Sequence, residues 1–290
     1  MILIADSGST KCDWLLLDGA NTVFQCSSMG FNPYFHDESF IVQQLRGHEV
    51  LMKKADEVDK LYFYGAGCSS KELNAIVQRA MIRLFPHSEV HIGHDLDGAA
   101  LATYGGKPQI ACILGTGSNA CYFDGTSISE SVPALAYILG DEGSGSYYGK
   151  RLIADFFYKR MPMHLADDFA ATYNLTMENV VEYVYTRPHA NVYLASFMKF
   201  CSTHRNDPYI KNLIRPGMKE FLDIHVTSYP NYREVETNFV GSVAYYFEDL
   251  LREVAGPMGV KVGRIVKKPI LGLREYHLKF SLSSISASTH

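Results

Sequence analysis

The sequence predicts an α/β protein built from two related lobes. Three observations carry that reading. An apolar strand runs into a polar turn and out into a second apolar strand at 1–18, "MILIADSGSTKCDWLLLD", and the same order returns at 109–124, "QIACILGTGSNACYFD". Helical patterns fall between further short strands. A break with glycine and proline, Gly105-Gly106-Lys107-Pro108, separates the two halves.

The elements follow in order. Short runs with β-branched or aromatic residues predict strands at 1–5, 13–18, 22–27, 60–65, 89–93, 109–115 and 119–124. The segment 71–85, "KELNAIVQRAMIRLF", sets Leu73, Ile76, Val77, Ala80 and Leu84 on one helical stripe. Residues 97–104 are rich in alanine and suit a short helix. Beyond residue 140 helices dominate, roughly at 143–160, 163–173, 176–185, 194–203, 208–228 and 243–255. Strands at 237–242 and 263–268 frame the helix at 243–255. One lobe is expected over 1–107 and the other over 108–269, with about 270–290 returning to the first. The polar ending "SLSSISASTH" is expected to fray.

Composition narrows the function. The 290 residues are 47% hydrophobic and 20% charged, with a net charge of −4. That is an ordinary globular balance, without the basic surplus that nucleic acid or an anionic membrane calls for. Any anion must therefore be held by local geometry or by a metal. The six cysteines lie far apart with no CxxC pair, which predicts buried free thiols in a reducing compartment. No basic leader precedes the first strand, and no apolar run approaches about 18 residues. A cytoplasmic protein that acts on neither nucleic acid nor membrane is expected.

Three segments combine glycine with hydroxyl side chains: "DSGSTK" (6–11), "GTGSN" (115–119) and "GDEGSGS" (140–146). Glycine lets a backbone approach an anion closely, and Ser and Thr add donors. Singly, each is an ordinary turn. None is a P-loop: "GSGSYYGKR" has the Gly-Lys pair at the wrong spacing, and "SGSTK" leads into a strand rather than a helix. No GxGxxG opens a helix after a strand, so a dinucleotide fold is unsupported.

Taken together and in this order, the three segments resemble the superfamily of sugar kinases, heat-shock ATPases and actin. "GTGSN" followed some twenty residues on by "GDEGSG" is similar, more narrowly, to the N-acetylglucosamine kinases and their benzoyl-CoA reductase ATPase relatives. The resemblance spans residues 1 to about 276 and is thin across 160–235. It implies two ribonuclease H-like lobes, the actin-like ATPase fold, with a cleft between them. It implies ATP and Mg²⁺ as cofactors and a small sugar as substrate, and it allows a homodimer.

The resemblance also distributes roles. Asp6 would hold Mg²⁺ through water, while Gly8, Ser9, Thr10 and Lys11 line the β- and γ-phosphates. Gly115, Thr116, Gly117 and Ser118 would form the second phosphate turn. Carboxylates for a hard cation and amides or hydroxyls for oxyanions fit this independently. The catalytic base of these kinases sits in a strand–Asp–helix context with glycine three residues later. "HIGHDLDG" matches with Asp95 and Gly98, leaving Asp97 as second candidate. Read locally, either aspartate suits the start of a helix. Asp141 of "GDEGSG" and Asn32 of "GFNPYF" would contact the sugar. Gly241 of "FVGSVA" would lie under the adenosine, although the second glycine usual there is Ser242.

The match has gaps. The glycine- and tryptophan-rich run that precedes "GDEGS" in animal N-acetylglucosamine kinases is here "PALAYIL" (133–139). The zinc motif of bacterial regulatory sugar kinases is missing. The ATPase relatives bind an iron–sulfur cluster through cysteines, and Cys112 and Cys121 flank the second turn without a ligand set. The expected activity is ATP-dependent phosphorylation of an amino sugar, foremost N-acetylglucosamine at its 6-hydroxyl. The alternatives are an ATPase that drives a conformational change in a partner enzyme, and a sensor of sugar or nucleotide without turnover.

Overall fold

The computed structural model describes residues 1–281; the fraying expected for the polar ending falls on residues outside these, apart from Ser281. The chain divides into two compact units. One comprises 1–105 with the described residues from 268 onward, the other 106–267.

The first unit opens with three antiparallel strands, β1 (Ile2–Ser7), β2 (Lys11–Asp18) and β3 (Asn21–Met29). Helices α1 (Glu38–Arg46) and α2 (Glu49–Met52) lead to β4 (Lys60–Gly65). Helix α3 (Lys71–Leu84) then carries the chain to β5 (Glu89–His94), and α4 (Asp95–Thr103) follows without a gap. The strand order is β3-β2-β1-β4-β5, with β4 parallel to β1 and to β5. Alternation along β1 explains why both faces are covered. Leu3 and Ala5 join a core with Trp14, Phe31, Ile41, Phe63 and Val77, while Ile4 turns to the opposite face with Leu15, Leu17 and Tyr64.

The second unit repeats this plan. Strands β6 (Gln109–Leu114), β7 (Ser118–Phe123) and β8 (Ile128–Ser129) are antiparallel. A long helical stretch follows: α5 (Ala136–Leu139), α6 (Gly145–Phe157), α7 (Met163–Tyr173), α8 (Met177–Val181), α9 (Ala190–Ser196), α10 (Met198–Thr203) and α11 (Pro208–Phe221). Strand β9 (Glu236–Val240), α12 (Ser242–Tyr246), α13 (Glu248–Met258) and β10 (Lys261–Val266) complete it. The order β10-β9-β6-β7-β8 is that of the first sheet, with β9 parallel to β6 and β10. The chain then returns to the first unit as α14 (Pro269–Tyr276), whose Ile270 and Leu273 cover Ile4, Leu15 and Leu17. Two sheets of one topology make this a duplicated ribonuclease H-like α/β fold.

Some expectations shift. On α3 the buried stripe is Val77, Ala80, Met81 and Leu84; Leu73 is only half-buried, because it belongs to the first turn, where its amide is capped by Ser70. Helix α1 was not anticipated: its apolar set Ile41, Val42 and Leu45 is short and interrupted by Gln43 and Gln44. The helix expected at 194–203 is two helices broken at Phe197.

Candidate active site

The turn between β1 and β2 is closed by Gly8, whose amide donates to the Lys11 carbonyl at 3.0 Å. Ser7 anchors its root: the hydroxyl accepts from the Phe31 amide at 2.9 Å and donates to the Phe31 carbonyl at 3.3 Å. Gly30 lies against the turn so closely that a Cβ there would sit 2.0 Å from the Gly8 oxygen and 2.8 Å from the Lys11 nitrogen. Gly8, Thr10 and Lys11 stay exposed and Ser9 half-buried, so the turn offers its donors outward.

Asp6 stands directly opposite Asp13 in the β1–β2 pairing. Like charges at such positions repel. Burial pushes the Asp6 carboxyl up to about 7, with further upward push from the charges of Asp13 and Asp95 and a downward pull from Lys11. Asp13 is itself tied down, by the Ser27 hydroxyl at 2.7 Å and the Lys11 ammonium at 2.7 Å. Sequence reasoning passed over Asp13, although counting back across a tight hairpin from Asp6 would have found it. A divalent cation would offset this concentration of negative charge. Among the described residues no three His, Cys, Asp or Glu side chains gather as a ready ligand set. Mg²⁺ takes one or two carboxylates and fills the rest of its shell with phosphate oxygens and water, and Asp6 with Asp13 opposite it would fit that demand.

Asp95 is the first residue of α4, and β5, which delivers it, lies beside β4, the neighbour of β1. Both aspartates lie in the first turn of α4, and they divide its roles. The N-cap is His94, and the carboxylate that receives its amide, at 2.8 Å, belongs to Asp97. Asp97 is thus the capping group, while the Asp95 carboxylate lies 3.3 Å from His94 Nδ1 with its side chain part-exposed. Gly98 is buried because Tyr64 of β4 packs on it; a Cβ would meet the Tyr64 Cβ at 2.8 Å. Asn32 is half-buried. Its side-chain oxygen accepts from the Tyr34 amide at 3.0 Å, a local turn bond, and its backbone N–H donates to His36 Nδ1 at 3.2 Å. The turn after β4 links the two: Gly67 touches the Asn32 amide group, and the Asp95 charge helps to raise the neighbouring Cys68 thiol, whose main push is burial.

In the second unit the equivalent turn, between β6 and β7, is closed by Gly115 N donating to Gly117 O at 3.0 Å. The start of α6 is bonded to it: Gly145 N donates to Gly115 O at 2.8 Å and Ser146 N to Thr116 O at 3.0 Å. Asp141 accepts from the Ser118 amide at 3.2 Å and from the Ser146 hydroxyl at 3.2 Å. Burial raises its carboxyl, opposed by those two bonds and by Lys150. Gly115, Thr116 and Gly117 are half-buried, whereas Ser118 is buried and its hydroxyl has no hydrogen-bond partner among the described residues. Gly241 follows β9 at φ +120°, and a Cβ there would meet the Leu114 carbonyl oxygen at 2.3 Å. The turn under the expected adenosine therefore needs glycine at 241 on two counts, conformation and contact. Beyond it, Arg205, Tyr245, Tyr246, Glu248 and Asp249 line an open groove of about 480 Å³. Cys112 and Cys121 are fully buried, and burial pushes the Cys112 thiol well above its usual range.

Comparison with known proteins adds to these observations. No family model and no curated protein matches the chain. Among solved structures, a protein of Porphyromonas gingivalis described as a candidate N-acetylglucosamine kinase is 37% identical over 97% of this chain and 100% of its own, with a TM-score of 0.91. A second candidate N-acetylglucosamine kinase, from Chromobacterium violaceum, shares the fold at 16% identity and a TM-score of 0.62, covering 95% of this chain and 98% of its own. So does a glucokinase of the ROK family from Streptomyces griseus, solved with glucose and the ATP analogue AMPPNP. It has 13% identity and a TM-score of 0.55, and the match covers 94% of this chain and 97% of that one. Among the described residues no helix is long and apolar enough to cross a membrane. With its duplicated topology, its paired turns and a full-length relative at this identity, the chain belongs to the N-acetylglucosamine kinase-like sugar kinases of the actin-like ATPase superfamily, phosphotransferases that use ATP and an alcohol acceptor.

Proposed function

We propose that this chain phosphorylates N-acetylglucosamine at its 6-hydroxyl, in the cytoplasm, with ATP as donor and Mg²⁺ as the metal. The observation that carries the catalytic part is the division of labour at α4: Asp97 serves the helix, and Asp95 is not needed as its cap. The choice of sugar rests on the 37% identity to the Porphyromonas gingivalis protein.

In this reading Asp95 accepts the proton of the sugar hydroxyl as its oxygen bonds to the γ-phosphorus. The bond from that phosphorus to the bridging oxygen breaks, and ADP leaves. Asn32 and Asp95 orient the sugar. Gly8, Ser9, Thr10 and Lys11 would line phosphate from the first unit's turn, and Gly115, Thr116, Gly117 and Ser118 would supply the second unit's phosphate turn. Asp6 would hold Mg²⁺ through water, and the ion would offset phosphate charge when bound. Adenosine would lie by Gly241, toward the groove beside Tyr245.

A panel of hexoses and N-acetylhexosamines, each assayed with Mg²⁺ and ATP for ADP release and for product by phosphorus NMR, tests the reading. N-acetylglucosamine 6-phosphate is expected as the fastest product. Preference for another sugar would overturn the specificity. Rapid ATP hydrolysis indifferent to every sugar would favour the partner-driving ATPase instead. The complete burial of Cys112 and Cys121 speaks against a cluster-bearing form of that alternative.

A further inference from the structure

Helix α11 buries a stripe of Ile210, Ile214, Gly217 and Phe221, and the next position at that period is His225. The helix continues there as a wide π turn, Leu222–Val226, closed by the Thr227 amide on the Leu222 carbonyl at 2.9 Å. His225 is 3% exposed and stacks on Phe221 with ring centroids 5.1 Å apart. An imidazole thus stands where packing alone calls for an apolar side chain. Its Nδ1 has no hydrogen-bond partner among the described residues, and a buried polar atom left so costs free energy. Its Nε2 lies 3.2 Å from an oxygen of Glu142. An ionised carboxylate only accepts, so Nε2–H is the donor of that bond.

Glu142 belongs to the loop 140–143, and that loop is seated on the same helix. Gly143 has φ +69°, and a Cβ there would meet the Gly217 carbonyl oxygen at 3.0 Å and the Phe221 Cβ at 3.2 Å. Asp141 holds φ +59°, a conformation that side-chain-bearing residues seldom adopt and that persists only where neighbours hold it. Its carboxylate takes one bond on each oxygen, from the Ser118 amide and the Ser146 hydroxyl, which leaves lone pairs for a sugar hydroxyl. The loop is thus pinned on one side by the β6–β7 turn and α6, and on the other by α11 and His225. Resting on the kinase reading and on Asp141 as a sugar contact, we infer that His225 is a positioning residue for the sugar: through Glu142 it fixes the acidic pair before α6, without itself touching substrate.

The test compares His225→Leu with His225→Gln. Leucine suits the buried stripe and removes the donor to Glu142. Glutamine keeps an N–H for that carboxylate. N-acetylglucosamine and ATP are each varied in steady-state assays. His225→Leu should lower kcat/KM for the sugar by about ten-fold or more, the scale of losing a hydrogen bond to a charged group. The KM for ATP should stay within about two-fold, and His225→Gln should recover most of the loss. Sugar kinetics unchanged in a folded His225→Leu protein would overturn the inference, as would a loss that glutamine does not relieve or one that falls on ATP instead. The nitrogen NMR signals of the ring, assigned by their disappearance in His225→Gln, give a second readout in the wild-type protein. They should shift when sugar alone is added and stay in place with AMPPNP and Mg²⁺ alone. This readout carries the test if His225→Leu does not fold, and a ring indifferent to saturating sugar would overturn the inference. Should the wild-type protein phosphorylate none of the sugars tried, the kinase reading falls and takes this inference with it; an active wild type beside an indifferent His225→Leu sinks the inference alone.

Discussion

Replacing Gly30 by alanine should disable the first phosphate turn while sparing the rest of the fold. The added methyl carbon would start 2.0 Å from the Gly8 carbonyl oxygen, 2.8 Å from the Lys11 nitrogen and 3.0 Å from the Thr10 nitrogen. All three are backbone atoms, so no rotamer change can relieve the clash. Carbon–oxygen contacts settle near about 3.3 Å, so Gly8 and Gly30 must separate by roughly 1.3 Å. Exposed Gly8 and Thr10 can yield more readily than the strands below. The stability loss should therefore fall at the low end of overpacking, about 1 kcal/mol. Turnover should suffer far more, because misplacing a positioning element by about 1 Å can cost about 10²-fold. The assay is ADP release at saturating sugar, with Tm measured alongside. Gly256→Ala serves as control: it lies in α13 with nothing within 4 Å of the new methyl, and should gain up to about 1 kcal/mol at unchanged turnover. A folded Gly30→Ala protein with turnover within two-fold of wild type would refute the assignment of 8–11 to phosphate.

Other changes separate chemistry from architecture. Asp95→Asn should lower kcat by about 10²–10⁴ while Tm barely moves, since Asp97 keeps the cap; Asp97→Ala should do the reverse, costing about 1 kcal/mol in urea unfolding. Near-wild-type kcat in Asp95→Asn would remove Asp95 from the chemistry. Acid should weaken the first unit through His277, which is 2% exposed, bonded to the Tyr64 hydroxyl at 3.0 Å, and lowered by burial to about 4. The unfolded imidazole gains its proton below about 6.5 and the folded one only below about 4. Stability is therefore lost as pH falls between these values, by about 1.4 kcal/mol per pH unit. His277→Gln keeps a hydrogen-bonding group but cannot titrate. Urea midpoints at pH 7 and pH 4.5 should converge in that variant, and an undiminished acid loss would show that the sensitivity lies elsewhere.

The strands and both hairpins were legible because their signals are local. Apolar runs broken by glycine and hydroxyl residues at 1–18 and 109–124 announce a strand, a turn and a strand whatever surrounds them. Trp14, placed on the return strand, is fully buried on β2. The identity of the turns came from their combination, since each alone is ordinary. What stayed hidden depends on contacts between distant residues. Gly30 looks like any loop glycine until the chain brings it to Gly8, 22 positions away. Asp141 reads as an acid before a helix, and only the fold brings Ser118 to its carboxylate. At α4 the sequence offered two aspartates for one cap, and the geometry of the first turn alone gave it to Asp97. Helix α1 was missed because glutamines interrupt a short apolar stripe.

The return of α14 to the first unit bears on the order in which the molecule can be assembled during synthesis. Residues 106–267 are contiguous, so the second unit holds all its strands as soon as that length has left the ribosome. The first unit emerges earlier but is incomplete: the face with Ile4, Leu15, Leu17 and Tyr64 waits for Ile270 and Leu273, more than 160 residues downstream. Until then it presents apolar surface to the cell. A nascent chain stalled between about 105 and 267 should therefore be a chaperone client and an aggregation hazard. Pulling the two sequence-distant parts of one sheet-and-helix layer together is a loop closure of high contact order, and it is the step expected to limit the folding rate.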